Sequence, residues 1–143
     1  MTGKYASLFD LLGAVLQDRI RPSSDLMSMF ATDAEFEFPF APNGTPKRVK
    51  GRDAIGAHFA RLAPILQFGP ITLHAVYESG PTVLLECSCE GQGVRTGIPY
   101  NQTYLCVVTT EAGQIIRYKD YWNPLVLIAA LGGQEALEAA YSG

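Results

Sequence analysis

The side chains with the clearest chemical potential are an aspartate and a histidine that lie far apart in the sequence. Asp120 belongs to the stretch 113–124, where Tyr118 precedes it and Trp122 follows it at a spacing of two. Alternate residues of a strand share one face, so this segment places a carboxylate between two aromatic side chains. A carboxylate on such a face must be paired, hydrogen-bonded or protonated, because burying a lone ion is costly.

The alternation of this strand predicts which of its faces meets the core. Ile116 shares the face of Asp120, whereas Arg117 and Lys119 lie with Ile115 on the opposite face. The charges suit solvent, so we expect the face with Ile116 and Asp120 to point inward. The alternative for Asp120 is structural: an ion pair, or a carboxylate satisfied by backbone groups.

His58 is the predicted partner of Asp120. It falls in a predicted helix over residues 51–62, on the side of the apolar residues Ile55, Phe59 and Leu62. An imidazole beside a carboxylate in an apolar pocket can hold one proton between them. Burial would raise the pKa of the carboxylate and the pairing would raise that of the histidine, so both would titrate near neutrality. The alternative is a helix histidine that serves packing alone.

Two such groups would act as a general acid and a general base. They would serve proton shuttling beside a carbonyl, ring closure, isomerisation or dehydration, and none of these reactions needs a cofactor. Tyr104 or Tyr118 would donate a hydrogen bond to a developing oxyanion. The three cysteines, Cys87, Cys89 and Cys106, have no neighbouring base in the sequence, so no thiolate nucleophile is predicted.

Composition and charge bound the class of protein. The 143 residues are 48% hydrophobic and 17% charged, which predicts one folded domain over residues 1–143. Residues 134–141 are expected to be weakly helical, within a flexible tail over residues 134–143. The net charge of −3, with both signs interspersed and no basic patch, argues against nucleic acid as a partner. No run of about 18 apolar residues is present, so no membrane span is expected.

The cysteines and the N-terminus predict a compartment. Cys87 and Cys89 are alternate residues of one strand, badly placed to bond each other, and no second pair completes a metal site. With Cys106, they are expected to be small buried residues in a reducing environment. The N-terminal residues lack the long apolar run of a signal peptide. We therefore predict a cytoplasmic protein without a metal or a cofactor.

Periodicity predicts the elements that position Asp120 and His58. An apolar stripe predicts a helix over residues 4–20, and Ser23 or Ser24 would cap a second, short helix that includes Phe30. Residues 34–40 alternate strictly, which predicts a strand whose aromatic side chains share one face. These aromatic residues are Phe36, Phe38 and Phe40.

Four further strands follow the helix over residues 51–62, with turn signals between them. They cover residues 71–77, 82–90, 100–110 and 114–122. This order predicts an α+β fold, in which N-terminal helices pack on one side of a strongly curved, antiparallel or mixed sheet.

Two segments resemble a known family. Gly51-Arg-Asp-Ala-Ile-Gly-Ala-His58 and Ile115-Ile-Arg-Tyr-Lys-Asp-Tyr-Trp-Asn-Pro124 are similar to segments of the SnoaL-like polyketide cyclase group. That group shares a cone fold with ketosteroid isomerase, scytalone dehydratase and the nuclear transport factor. The resemblance covers nearly the whole chain. It implies a sheet curled around a long helix, with a pocket open at one end.

The local match is strongest to the phenazine-biosynthesis A/B proteins. Their helix Gly-Lys-Asp-x-Leu-x-x-His carries an active-site histidine, which His58 matches, and their final strand Arg-x-Arg-Glu-Phe-Met-Asn carries an acidic catalytic residue, which Asp120 matches as the shorter aspartate. The resemblance thus implies His58 and Asp120 as catalytic residues. The residues expected to line the pocket and bind the substrate are Phe36, Phe38, Phe40, Phe59, Leu62, Tyr104, Tyr118 and Trp122.

The resemblance also implies a homodimer through the outer face of the sheet, which would include Thr103, Leu105, Val107, Arg117 and Tyr121. We predict a cofactor-independent acid–base enzyme, similar to a cyclase, isomerase or dehydratase, acting on a small apolar or ring-bearing metabolite. The first alternative is a non-catalytic small-molecule binding protein on the same fold. The second is a protein-interaction module, which would leave Asp120 and His58 without a role.

Overall fold

The computed structural model describes residues 2–142, which form seven strands and four α-helices. The strands are β1 (Gly3–Tyr5), β2 (Phe30–Glu37), β3 (Arg48–Lys50), β4 (Leu66–Ser79), β5 (Thr82–Gly93), β6 (Gln102–Glu111) and β7 (Gln114–Trp122). The helices are α1 (Leu8–Leu16), α2 (Arg52–Leu62), α3 (Pro124–Leu131) and α4 (Gln134–Ser142). None of these helices is long and apolar enough to cross a membrane.

All seven strands belong to one mixed sheet in the order β1-β4-β5-β6-β7-β2-β3. β2 runs parallel to β7, and every other pair of neighbours is antiparallel. Buried residues of α1 and α2 pack with side chains of the sheet to form the main core, whereas α3 and α4 pack over the residues around Leu66 and Tyr100. The predicted α+β class with a mixed sheet is confirmed.

The predicted helix over residues 4–20 is too long at both ends. Gly3–Tyr5 is a strand that pairs with β4, and the helix begins only after Ser7, whose Oγ accepts a hydrogen bond from the Asp10 N–H at 3.1 Å. It ends at Leu16, where Gln17 adopts a positive φ of 47°. The apolar stripe correctly located the buried face, but backbone capping decided the length.

The predicted second helix is wrong, because the segment closes after one 3-10 turn over Met27–Met29. The Ser28 N–H donates to Asp25 Oδ1 at 2.9 Å, and the Asp25 N–H donates to Ser28 Oγ at 3.2 Å. This reciprocal cap satisfies the turn without further helix. Phe30, fully buried, then begins β2 beside Ile115 of β7.

The prediction that Phe40 shares a face with Phe36 and Phe38 is also wrong. Phe36 and Phe38 are buried, whereas Phe40 is 57% exposed and packs edge-on against Tyr121, with ring centroids 5.3 Å apart. The strand ends at Glu37, and a turn at 39–40 breaks the alternation of side chains. Phe40 therefore lies outside the predicted pocket.

A β-bulge changes the predicted inward face of β7. Thr109 pairs with Arg117 and Thr110 pairs with Ile115, which leaves Ile116 as the extra residue. Ile115 is consequently buried, and Ile116, which was expected to face the core, is only half-buried. A bulge inserts one unpaired residue and shifts the alternation before it relative to the alternation after it. Beyond the bulge the pattern predicted for Asp120 is kept.

The corner after β7 is held by Gln102, a buried polar residue at the start of β6. Its Nε2 donates to the Asn123 carbonyl at 3.0 Å, and its Oε1 accepts from the Asn123 N–H at 2.9 Å. Asn123 Oδ1 in turn accepts from the Leu125 N–H at 3.0 Å and caps α3, with Pro124 in its first turn. One amide side chain thus fixes where β7 ends and α3 begins.

The C-terminal segment is helical, as predicted, whereas the dimer through the outer sheet face stays a prediction. Residues 134–142 form α4, in which Leu137 is fully buried; Gly143 lies outside the described residues. On the outer face Leu105, Val107 and Tyr121 are each half-buried. The homodimer through this face and the single-domain assignment remain to be tested.

Close packing between β5 and α3 requires glycine at position 93. A Cβ on Gly93 would lie 2.1 Å from the Ala130 carbonyl oxygen and 2.6 Å from Thr96 Oγ1. Thr96 Oγ1 donates a hydrogen bond to that same carbonyl at 2.6 Å, so the carbonyl cannot easily retreat. The glycine therefore sets how closely α3 approaches the sheet.

We expect Gly93→Ala to lower the free energy of unfolding by about 1–3 kcal/mol, because overpacking displaces α3 from β5. Urea denaturation followed by circular dichroism measures it. Gly13→Ala, inside α1, is the matched control, because a Cβ at this position would come no closer than 3.9 Å to Met29 Cε. That control should gain up to about 1 kcal/mol from helix propensity. Equal stability of the two variants would contradict the packing argument.

Candidate active site

A cavity of about 350 Å³ lies between the helices and the sheet and brings together the residues predicted for catalysis and substrate binding. Its volume falls within the range of roughly 300–1,000 Å³ that small-molecule sites occupy. The predicted residues found in its lining are His58, Asp120, Phe36, Phe38, Phe59, Leu62, Tyr104, Tyr118 and Trp122. Their placement in one cavity is a structural fact; their roles stay predictions.

Strand pairing decides which side chains stand beside Asp120. In the antiparallel pair β6–β7, Cys106 lies directly opposite Asp120, and Tyr104 lies opposite Trp122. On the other side β2 runs parallel to β7 and places Phe36 opposite Tyr118. Alternate residues of β6, β7 and β2 therefore share the side of the sheet that faces the cavity.

Aromatic packing gives the cavity a rigid wall. The rings of Phe36 and Tyr118 stack with centroids 4.3 Å apart and an angle of 10° between their planes. Phe59 from α2 meets Phe36 edge-on at 5.6 Å. Phe38 lies 4.8 Å from the imidazole of His58. Such stacked and edge-to-face pairs add to the stabilisation from burial and hold the side chains in place.

Asp120 faces the cavity, and one hydrogen-bond donor from the described part of the chain reaches its carboxyl group. The Cys106 thiol donates to Asp120 Oδ1 at 3.6 Å. Among the described residues the ion pairs are Arg19–Glu78 and Arg48–Glu37, and Asp120 takes part in neither. Burial raises the pKa of Asp120 to about 7, and the hydrogen bond from Cys106 opposes this rise. The ion pair considered as a structural alternative is thus not what the structure shows.

The predicted rise of the histidine pKa is wrong. Burial, followed by the positive charge of Arg61, lowers the pKa of His58 to about 4. Within residues 2–142 no direct hydrogen bond joins His58 to Asp120, so the expected stabilisation of the imidazolium is missing. His58 is therefore a neutral imidazole at physiological pH, half-buried against Phe38.

A pair of tyrosines extends the polar part of the wall. The hydroxyls of Tyr100 and Tyr104 lie 3.0 Å apart, and the Tyr104 hydroxyl lies 3.8 Å from Cys89 Sγ. Burial raises the pKa of both tyrosines, so both stay protonated and able to donate. Tyr100 was not among the residues predicted to line the cavity. It lies an even number of positions from Tyr104 and Cys106, so the alternation of a strand would have placed it on the same face.

All three cysteines line the cavity as free, buried thiols. Cys87 and Cys89 come from β5, and Cys106 comes from β6. Their burial was predicted, whereas their contact with the cavity was not. In the part of the chain that the structure describes, no three His, Cys, Asp or Glu side chains are arranged as metal ligands.

A comparison with known proteins supplies the family. The model of the SnoaL-like domain matches residues 19–118. The uncharacterized protein YesE of Bacillus subtilis is 44% identical over 103 residues, which cover 71% of this chain and 70% of YesE. The uncharacterized PhzA/B-like protein PA3332 of Pseudomonas aeruginosa is 38% identical over 117 residues, which cover 80% of this chain and 82% of that protein.

A solved structure of a proposed isomerase from Bacillus subtilis superposes with a TM-score of 0.73 at 37% identity, and the match covers 85% of this chain and 86% of that one. The resemblance predicted from the two sequence segments is therefore confirmed. By the extent of the domain match and by the identity to these relatives, the chain belongs to the SnoaL-like domain family.

Proposed function

We propose that the protein is a cofactor-independent acid–base enzyme, of the isomerase or cyclase type, that acts on a small ring-bearing metabolite inside the cavity. The observation that carries this proposal is the placement of Asp120, a carboxyl group that faces a cavity walled by aromatic rings and whose pKa burial raises to about 7. The proposed isomerase from Bacillus subtilis, a relative at 37% identity, supports the same reaction type.

Asp120 would act as the proton carrier. In its ionised form it removes a proton from a carbon beside a substrate carbonyl, and the resulting carboxylic acid returns that proton to a second position of the substrate. A pKa close to the working pH suits both halves of this transfer. The proton is conserved over the cycle, so the enzyme needs no external acid or reductant.

Tyr104 and His58 would support the intermediate. The Tyr104 hydroxyl stays protonated and would donate a hydrogen bond to the developing oxyanion. His58, as a neutral imidazole, would hydrogen-bond to the substrate without bringing a positive charge. This role replaces the proton-sharing pair that the sequence suggested.

The lining favours an uncharged substrate. Among the described residues that line the cavity are one carboxylate and one neutral imidazole but neither lysine nor arginine. An anionic group placed there would lose its hydration without gaining a counter-charge. Rings on the wall would stack on a planar substrate.

A non-catalytic binding protein is the second candidate. It is favoured by the lack of a direct hydrogen bond between His58 and Asp120, since a preassembled acid–base pair is then missing. The two candidates differ in whether Asp120 changes turnover or only binding.

We expect Asp120→Asn to slow proton transfer strongly while keeping ligand binding. The substrates are uncharged cyclic ketones with a carbon–carbon double bond one position out of conjugation, and product formation is followed by ultraviolet absorbance. Turnover should fall roughly 10²- to 10⁴-fold, the usual contribution of a general acid–base group. Binding, read from the fluorescence of Trp122, the single tryptophan of the chain, should change by less than about threefold, because asparagine keeps the size and polarity of the site.

Asp33→Asn is the matched control, because Asp33 is exposed on β2. It should keep both turnover and binding. Binding of these ketones by the wild type, with no conversion of any of them and no effect of Asp120→Asn, would favour the binding protein instead.

The acidity of Asp120 also predicts how stability depends on pH. In the folded chain its carboxyl keeps a proton up to about pH 7, whereas its ordinary pKa is 3.8. The folded state therefore binds more protons between these values, and the free energy of unfolding falls as the pH rises from about 4 to about 7. The contribution of Asp120 to this fall is on the order of 4 kcal/mol, at about 1.4 kcal/mol per pKa unit.

Asp120→Asn should remove the contribution of Asp120 to the pH dependence of stability. Urea denaturation at about pH 5 and about pH 8 should show that the variant gains stability relative to the wild type only at the higher pH. Asp33→Asn should follow the wild type at both. Parallel pH curves for Asp120→Asn and the wild type would show that Asp120 ionises normally in the folded protein.

A further inference from the structure

The only hydrogen-bond donor to Asp120 within residues 2–142 is a thiol, and the acid–base proposal gives it no role. We propose that Cys106 is a positioning residue, whose thiol orients the Asp120 carboxylate toward the cavity and lowers the pH at which it exchanges its proton. The catalytic meaning of this inference rests on the proposed function of Asp120. The contact itself does not depend on it.

The geometry of the contact is fixed by the sheet. Cys106 and Asp120 are directly opposed on β6 and β7, and Sγ lies 3.6 Å from Oδ1, within the reach of an S–H···O hydrogen bond. Cys106 is 3% exposed, so water does not compete for the thiol from the outer side. The pairing of β6 with β7 therefore keeps the Cys106 thiol next to the Asp120 carboxylate.

The other titratable groups near Asp120 do not replace the thiol. Cys87 and Cys89 come from β5, Tyr100 precedes β6, and Tyr118 lies on β7 itself; in the described part of the chain none of them is hydrogen-bonded to Asp120. Tyr104 bonds to Tyr100 instead. His58 from α2 is neutral, and no lysine or arginine of the described residues lines the cavity.

The thiol keeps its proton and so remains a donor. The neighbouring Cys87 thiol and burial both raise the pKa of Cys106 well above its usual range. A neutral S–H donates more weakly than a hydroxyl. It therefore steadies the ionised carboxylate only slightly, and burial continues to dominate the acidity of Asp120. A hydroxyl here would favour the ionised form more strongly, and an aliphatic group would not favour it at all.

Two substitutions separate these effects. Cys106→Val removes the donor and keeps the volume filled, so that water does not take its place; Cys106→Ser supplies a stronger donor. The infrared band of the protonated carboxyl is followed against pH and is assigned to Asp120 by its loss in Asp120→Asn. We expect the titration midpoint to rise by about half a unit to one unit in Cys106→Val and to fall by a similar amount in Cys106→Ser.

Cys89→Val is the matched control, because Cys89 is a buried thiol on the same cavity that is hydrogen-bonded to Tyr104 rather than to Asp120. Its midpoint should stay at the wild-type value. Equal shifts in Cys89→Val and Cys106→Val, or an unchanged midpoint in both Cys106 variants, would overturn the proposal. Should the valine variant fail to fold, the direction of the shift in Cys106→Ser decides alone.

The outcome can be told apart from that of the proposed function. If the midpoints move as expected but no ketone is converted, Cys106 positions Asp120 in a protein that is not an isomerase of these substrates. If Asp120→Asn abolishes turnover and the Cys106 variants keep the wild-type midpoint and pH profile, the function stands and the role of Cys106 fails. If both stand, the pH profile of turnover moves with the infrared midpoint.

Discussion

The main constraint on the structure is one half-buried carboxyl group, Asp120, which faces an apolar cavity and has no counter-charge among residues 2–142. A typical protein folds with a margin of about 5–15 kcal/mol, so a group that opposes folding at neutral pH must be offset by the packing around it. The stacked rings of Phe36 and Tyr118 and the fully buried side chains of the main core provide that packing. The site thus lowers the stability of the folded state, and packing in the rest of the fold offsets that loss.

The sheet order explains how the supporting residues arrive there. β7 lies between β6, its neighbour along the chain, and β2, which comes from the N-terminal half. The hairpin β2–β3 leads directly into α2, so pairing β2 with β7 also delivers His58 to the cavity. One parallel contact therefore assembles an aromatic wall and a polar group that the local sequence around Asp120 lacks.

The alternation of side chains along each strand made much of this arrangement predictable. The spacing of Tyr118, Asp120 and Trp122 was enough to place all three on the cavity, and the helical stripe was enough to place His58. Parity failed where the backbone changed its pattern: at the bulge that contains Ile116 and at the turn that exposes Phe40. The bulge leaves no mark in residue type, because it depends on how two strands pair, whereas Pro39 does mark the end of β2.

The electrostatics were harder to predict than the placement. The acidity of Asp120 follows from burial, which an apolar neighbourhood in the sequence already indicates. The acidity of His58 depends first on burial and then on the charge of Arg61, and both follow from how α2 packs on the sheet, which one sequence does not contain.

The parallel pairing of β2 and β7 also orders events in folding. Phe36 and Tyr118 are more than eighty positions apart, and closing so long a loop costs entropy before the contact repays it. The cavity therefore forms only when the two halves of the chain meet, and a nascent chain that lacks β7 has an aromatic half-wall and no site.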